Sequence, residues 1–223
     1  MPEGTLTIGT RRYSSWSLRG WLPVRPAGLD VAEVVIPLAG GETAAVKAAT
    51  AGATVPHLEH RGAAMWESLA IVEYCAEFLP ALWPQDRVAR AHARAISAEM
   101  HAGFRGLRQA MPMSLFRHAL GAGRTPEALR DIARIEHLWR ETRTRFGEAG
   151  PYLFGADFGN ADVMYAPVVA RFLTYRPELS AQSLAYCEAV RAHPLMREWY
   201  ALAAQEPEAW FLPGYEGPVP TPA

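Results

Sequence analysis

The sequence predicts an α/β unit followed by an all-helical unit, and three observations carry that reading. Over residues 1–79, short segments with period-2 alternation are interleaved with apolar patterns of helical period, in the order β-α-β-α-β-β-α. Residues 80–86 contain Pro80 and Pro84 and interrupt every period. Beyond them no segment alternates like a strand, and helical periods continue to about residue 205. The expected organisation is therefore a first domain at 1–79, a linker at 80–86, a helical domain at 87–212 and a tail at 213–223.

Residues 5–10 alternate aliphatic or β-branched residues with small polar ones, as a short strand does. Residues 13–26 follow, with Ser14, Ser15 and Ser17 at a strand-to-helix junction. Ser14 or Ser15 is a natural N-cap, because its oxygen accepts from the free amides of the first turn. Leu18, Trp21 and Leu22 then recur at i, i+3, i+4. Residues 31–37 read as a second strand after a turn at Gly28, and a β-α-β crossover predicts a parallel pair. Residues 42–49 form a short Ala-rich helix candidate. Pro56 interrupts the start of another strand and removes a ladder donor, so it belongs at an edge, at a strand's first residue or in a cis turn. Arg61-Gly62 turns the chain back into residues 63–66 to make an antiparallel hairpin. Glu67-Ser68 then opens a helix with Leu69, Val72, Cys75 or Ala76 and Leu79 on one face.

In the helical part, residues 87–111 predict one long helix with Ile96, Met100, Phe104, Leu107 and Met111 on a single face, ended or kinked by Pro112. Residues 114–124 are irregular. Thr125-Pro126 pairs an N-cap with a proline at N1 and starts a helix carrying Leu129, Ile132, Ile135, Trp139 and Phe146. After a turn at 147–155, Gly159 as N-cap puts Asp162 at N3 and places Phe158 and Val163 at N′ and N4, the positions of a hydrophobic staple. Two more helices are expected near 180–192 and 194–205. Residues 213–223, with four prolines, read as an extended tail with no core of its own.

Composition narrows the function classes. With 223 residues, 50% hydrophobic and 20% charged, and a formal net charge of −1, the chain is long enough for one or two packed domains. It has no general attraction for nucleic acid or an anionic membrane. No run of 18 apolar residues occurs, and no charged segment leads into an apolar core at the N-terminus, which predicts a cytoplasmic protein. Cys75 and Cys187 lie far apart without CxxC spacing, so reduced, buried thiols are expected. His57, Glu59 and His60 suggest a metal, but in a strand His57 and Glu59 share a face and His60 points away. An exposed hairpin without metal is the reading.

Two features point to chemistry. A helix that opens at Ser14 or Ser15 presents unpaired N–H groups and the positive end of a macrodipole, and it favours a bound anion such as a thiolate. The alternative is that the serines only cap the helix. On the long helix, Arg87, Arg90, Arg94, His101, Arg105 and Arg108 fall at spacings that make one basic stripe, either a solvated face or the wall of a cleft.

An α/β unit joined by a proline-containing linker to a helical domain resembles the cytosolic glutathione transferases, with their thioredoxin-like first domain, over nearly the whole chain. Ser14-Ser15-Trp16-Ser17-Leu18-Arg19 is similar to the serine motif of the zeta class, which has cysteine where this chain has Trp16. Val55-Pro56 resembles the family's cis-proline turn, Glu67-Ser68 the pair that holds the γ-glutamyl end of glutathione, and Ala161 to Pro167 the capping segment of the sixth helix. The family usually has Ser or Thr where this chain has Gly159, and commonly Lys or Gln where it has Thr54.

The resemblance implies a homodimer that binds glutathione as co-substrate and adds its thiolate to a small electrophile. Ser14 is implied as the hydroxyl donor to sulfur, with Ser15 the nearest rival and Ser17 a more distant one. Ser17, Thr54, Val55, Pro56, Glu67 and Ser68 would hold the tripeptide, Val55 through its backbone N–H and C=O. Met100, Phe104, Met111 and Met113 would form an apolar wall, and Arg105 or Arg108 would pair with a carboxylate of an acidic electrophile. The alternatives are glutathione-dependent cis-trans isomerisation of the maleylacetoacetate or maleylpyruvate type, and a transferase-like interaction module without catalysis.

Overall fold

The alternation that puts Leu6 and Ile8 on buried positions builds the first strand, β1, at Gly4–Gly9. In the computed structural model, which describes residues 1–40, 43–148 and 150–217, β1 leads through helix α1 (Ser15–Val24) to β2 (Val31–Ile36). The two strands are parallel, with Gly4 opposite Val31. Helix α2 (Ala44–Ala49) follows, with Thr43 at its N-cap. Glu42, expected to open it, lies outside the described residues. Strands β3 (His57–His60) and β4 (Ala63–Trp66) form the antiparallel hairpin, and β3 also pairs antiparallel with β1, so the sheet order is β2-β1-β3-β4. Helix α3 (Ser68–Phe78) packs beside α1.

The histidines of β3 differ from expectation. His57 and His60 are both buried, and only Glu59 faces solvent. Tyr74 and Phe78 of α3 pack edge-on against the His60 ring, and its Nδ1 lies 2.9 Å from the Tyr74 hydroxyl. A strand flanked by two others and roofed by a helix buries what an isolated hairpin would expose.

Beyond a single 3-10 turn at Pro80–Leu82, every regular element among the described residues is helical. The long helix expected over 87–111 is two helices, α4 (Arg87–Ala102) and α5 (Arg105–Ala110). Phe104 between them takes a left-handed conformation, φ 61°, ψ 42°, which no helix interior allows. Arg108 then reaches back to donate to the carbonyls of Gly103, at 3.0 Å, and Met100, so the open end of α4 is capped from α5. The break is hidden in the sequence because Leu107 and Met111 still point into the core after it.

Helix α6 (Pro126–Phe146) starts at Thr125, whose hydroxyl accepts from Ala128 N–H. Helix α7 (Asn160–Tyr175) runs through the middle of the molecule, and fifteen of its residues are buried. Asp162 at its start accepts from Gly159 N–H at 2.9 Å, Leu153 N–H at 3.1 Å and the Tyr186 hydroxyl at 2.9 Å. Burial still pushes its carboxyl up to about 6. A Cβ at Gly159 would lie 3.1 Å from Leu82 O, a tight contact that a side chain there could make only with a slight shift of the linker backbone. Helices α8 (Ala181–Ala192) and α9 (Pro194–Ala204) close the domain.

The end of the helical part and the described part of the tail, residues 213–217, both reach the loop that enters α1. Glu206 accepts from the backbone N–H groups of Arg11, at 2.6 Å, and Arg12, at 3.2 Å. Glu216 takes a two-pronged bond from Arg12, at 3.0 and 2.9 Å, and one from the Tyr13 hydroxyl. Tyr215 packs edge-on against Tyr13. Residues 206–216 are thus tied to the loop that enters α1, and residues 218–223 lie outside the described part.

Candidate active site

The first turn of α1 is anchored by its serines. Ser14 is the N-cap: its oxygen accepts from Ser17 N–H at 3.2 Å, and the two hydroxyls lie 2.7 Å apart. Ser17 has no exposed surface, and its oxygen accepts from Gly9 N–H at 2.9 Å, which ties the helix start to the end of β1. Ser15 uses its carbonyl as an acceptor for Arg19 Nη1, at 3.5 Å. The Ser14 hydroxyl donates to Ser17 Oγ, so a ligand that takes the Ser14 proton replaces Ser17 as its acceptor.

Beside this turn lies a groove of about 220 Å³ lined by Trp16, Thr54, Val55, Pro56, Glu67 and Ser68. The Val55–Pro56 bond is cis. Pro56 lies against α1 at Gly20, where an added Cβ would meet the proline ring at 2.5 Å. Glu67 has φ 70° and gives α3 no side-chain cap, so the N–H groups of that helix start have no side-chain acceptor there. The Ser68 hydroxyl is buried without a hydrogen-bond partner at the edge of the groove. A hydroxyl and a helix N-terminus left open together suit a carboxylate. Three larger cavities, two of about 430 Å³ and one of about 320 Å³, open elsewhere, but no residue of α1 or of the Val55–Pro56 turn lines them.

Of the six residues expected to hold a tripeptide, Thr54 to Pro56 with Glu67 and Ser68 meet in one groove, while Ser17 is turned to Gly9 N–H and does not line it. None of the three serines lines the groove, and all are nearly or fully buried, with exposures of 6% for Ser14, 7% for Ser15 and none for Ser17. Trp16, between Ser15 and Ser17, is the residue of that first turn of α1 that does. The expected substrate wall is placed otherwise. Met100, Phe104, Met111 and Met113 all belong to the hydrophobic core, Met100 and Met111 with no exposed surface, and none of them lines the groove. Arg105 is exposed, and Arg108 turns inward to its carbonyl acceptors. The basic stripe is divided in the same way: Arg94 pairs with Glu73 at 3.0 Å, and Arg90 donates to the linker carbonyls of Pro84 and Gln85.

What the sequence reading missed is Trp16 as a wall of the groove. Alone among residues 11–20 it is not buried, and the signal was one large ring set among small residues in a helix's first turn. The second omission is Arg19, which is fully buried with Nε on Met164 O at 2.8 Å. Burial holds its guanidinium well below the usual arginine range, and repulsion from Arg108 and Arg171 adds to this. Arg171, donating to the carbonyls of Met111 and Pro167, is lowered to about 9, again chiefly by burial.

Two family models match the chain in order: "Glutathione S-transferase, N-terminal domain" over residues 13–77, and "Glutathione S-transferase, C-terminal domain" over residues 123–202. The chain belongs to the glutathione S-transferase family. Its first matched segment runs from Tyr13, beside the capping serine, to within α3, and so takes in every groove residue.

Among curated proteins this transferase-family chain is similar to the maleylacetoacetate isomerase of Rattus norvegicus, with 28% identity over 76% of this chain and 78% of that one. It is also similar to a probable maleylacetoacetate isomerase of Caenorhabditis elegans, with 27% identity over 76% and 79%. Among solved structures it superposes on a glutathione transferase homologue from Burkholderia, solved with bound glutathione, with TM-score 0.69, 22% identity and coverage of 92% of this chain and 100% of that one. The theta class glutathione S-transferase of Xanthomonas axonopodis pv. citri with glutathione bound gives TM-score 0.57, 28% identity and coverage of 89% and 97%. The expected fold, a thioredoxin-like unit followed by an all-helical domain, is the fold observed.

Proposed function

We propose that the groove holds glutathione and that a serine hydroxyl at the opening of α1 stabilises its thiolate for addition to a small electrophile. The observation that carries this is the convergence of the cis Val55–Pro56 turn, Glu67 and the partnerless Ser68 hydroxyl beside the capped start of α1. In this reading Val55 lends its backbone N–H and C=O to the peptide as an edge strand would. Thr54 lies alongside, and Glu67 and Ser68 receive the amino and carboxylate groups of the γ-glutamyl end. Bound glutathione in the Burkholderia and Xanthomonas relatives supports the same ligand here.

A free thiol is ionised to only a few per cent at neutral pH, so the chemistry depends on stabilising the anion. A hydroxyl donating to a thiolate contributes about 1.5–3 kcal/mol, and the positive end of α1 adds to it. We assign this role to Ser14, whose oxygen is already held by Ser17, with Ser15 as its rival. Ser17 itself serves the strand-to-helix joint. The test is turnover with glutathione and an electrophile such as a chlorodinitrobenzene. Ser14→Ala is expected to lower kcat/KM by about 10- to 150-fold, the rate equivalent of that bond. If Ser15→Ala abolishes turnover and Ser14→Ala does not, the role passes to Ser15; if neither matters, the serine assignment fails.

The similarity to two maleylacetoacetate isomerases favours a second reading with the same thiolate, in which glutathione adds to a cis double bond, the bond rotates and glutathione leaves. Retention on immobilised glutathione without turnover of any electrophile or cis-alkene acid would instead support an interaction module. We place the protein in the cytoplasm as a homodimer. Among the described residues no helix is long and apolar enough to cross a membrane, and Trp66, Phe78 and Val88 expose apolar surface that a second copy would cover. Pairing of Arg105 or Arg108 with an acidic electrophile would require the groove to open towards α5.

A further inference from the structure

The indole of Trp16 forms a wall of the groove and is at the same time enclosed by basic groups. The Arg108 guanidinium lies 4.6 Å from its ring centroid and that of Arg19 lies 5.0 Å away, while the His101 ring packs edge-on at 5.3 Å. Trp16 lines the groove, and none of these three does. Their donors are only partly used. Arg19 Nη2 and His101 Nδ1 are buried without any acceptor. The remaining bonds of Arg19 go to the carbonyls of Met164 and Ser15, and those of Arg108 to Met100 and Gly103.

Arg171 is near enough to repel Arg19 and Arg108 and is satisfied by carbonyls in the same way. Two carboxylates are near: Glu67 sits 3.3 Å from His101 Nε2, and Asp131 accepts from Leu107 N–H and favours the charge on Arg108. A buried guanidinium that lacks a carboxylate contact draws on the face of an aromatic ring as a weak substitute, and a small anion would serve it better.

We infer that Trp16 is the specificity-determining residue of this site: its indole seals Arg19 and Arg108 off from the groove, so that an electrophile meeting the glutathione held there finds an apolar ring and must itself be neutral and apolar. With glutathione in the groove and Glu67 and Ser68 engaged by it, an acidic group on the electrophile finds the ring where the arginines would be. Removing the ring uncovers two guanidinia and turns the same space into an anion pocket. This rests on the glutathione reading and names the substrate class of that site.

The test is calorimetric binding of two conjugates, S-hexylglutathione and S-(1,2-dicarboxyethyl)glutathione, to the native chain, to Trp16→Val and to Trp16→Val/Arg108→Gln. The native chain is expected to bind the hexyl conjugate at least about tenfold more tightly. Trp16→Val should move the ratio of the two dissociation constants at least about tenfold towards the acidic conjugate, the lower end for a charge-assisted hydrogen bond, and the added Arg108→Gln should cancel that gain. The native measurement stands even if a variant does not fold. A native preference for the acidic conjugate, or a ratio unmoved by Trp16→Val, overturns the inference and leaves glutathione binding intact. Failure of the native chain to bind either conjugate removes the glutathione reading and this inference with it.

Discussion

Ser68 is a polar side chain whose contacts are incomplete without a ligand. Its hydroxyl is buried at the start of α3 with nothing to bond to, an arrangement that costs about 1–3 kcal/mol in a finished fold. Ser68→Ala is therefore expected to move stability and affinity in opposite directions. The melting temperature should stay level or rise, because an unsatisfied group has gone. Glutathione affinity should fall by about tenfold or more, because a charge-assisted bond to a carboxylate has gone with it. Thermal unfolding and calorimetry on the two proteins give both numbers, and a loss of stability without loss of affinity would mean that Ser68 is only a helix-start residue.

Residue identity was legible here to the level of the motif. Three serines at a helix start mark the place, yet spacing does not say which one the strand claims, and that depends on Gly9 N–H lying 2.9 Å from Ser17. Burial of Arg19 was illegible for a similar reason. A charged residue on an apolar face is buried only when distant carbonyls, here Met164 O, come to meet it.

At the scale of elements, the groove depends on how closely α1 approaches the turn before β3. Gly20 is the reason they can touch: a methyl group there would be 2.5 Å from Cγ of Pro56, a ring that cannot swing aside. Gly20→Ala should displace the Val55–Pro56 turn, raise KM for glutathione more than it lowers kcat, and destabilise the fold by about 1–3 kcal/mol, as overpacking does. Steady-state kinetics with denaturant unfolding checks this, and an unchanged KM would show that the turn does not hold the peptide.

The β-α-β-α-β-β-α order was readable because period-2 and helical patterns alternate cleanly and the turn residues fall between them. The junction of α4 and α5 was not, since the apolar spacing runs through it unbroken. Only the left-handed Phe104 and the reach of Arg108 back to Met100 and Gly103 end the first helix. With the helix broken, the basic stripe drawn along it does not exist as one face.

Over the whole molecule, the site lies where two differently built halves meet. Helix α1 packs on α3 within the first half and on α7 from the second, and Arg19 bonds across to Met164. The end of the chain returns to the same place, with Glu206 and Glu216 holding Arg11, Arg12 and Tyr13 next to the capping serine. Contacts about two hundred residues apart in sequence leave no local pattern, so a proline-rich tail read from composition showed no partner.

The central claim is that this meeting point stabilises a sulfur anion. Ultraviolet titration of the thiolate of bound glutathione, in the native chain and in Ser14→Ala, tests it most directly. A hydroxyl donor and a helix N-terminus should hold the bound thiol about one to two units below the free value of about 8.5, with most of that shift lost in the variant. A bound thiol that titrates like free glutathione in the native chain would contradict the account.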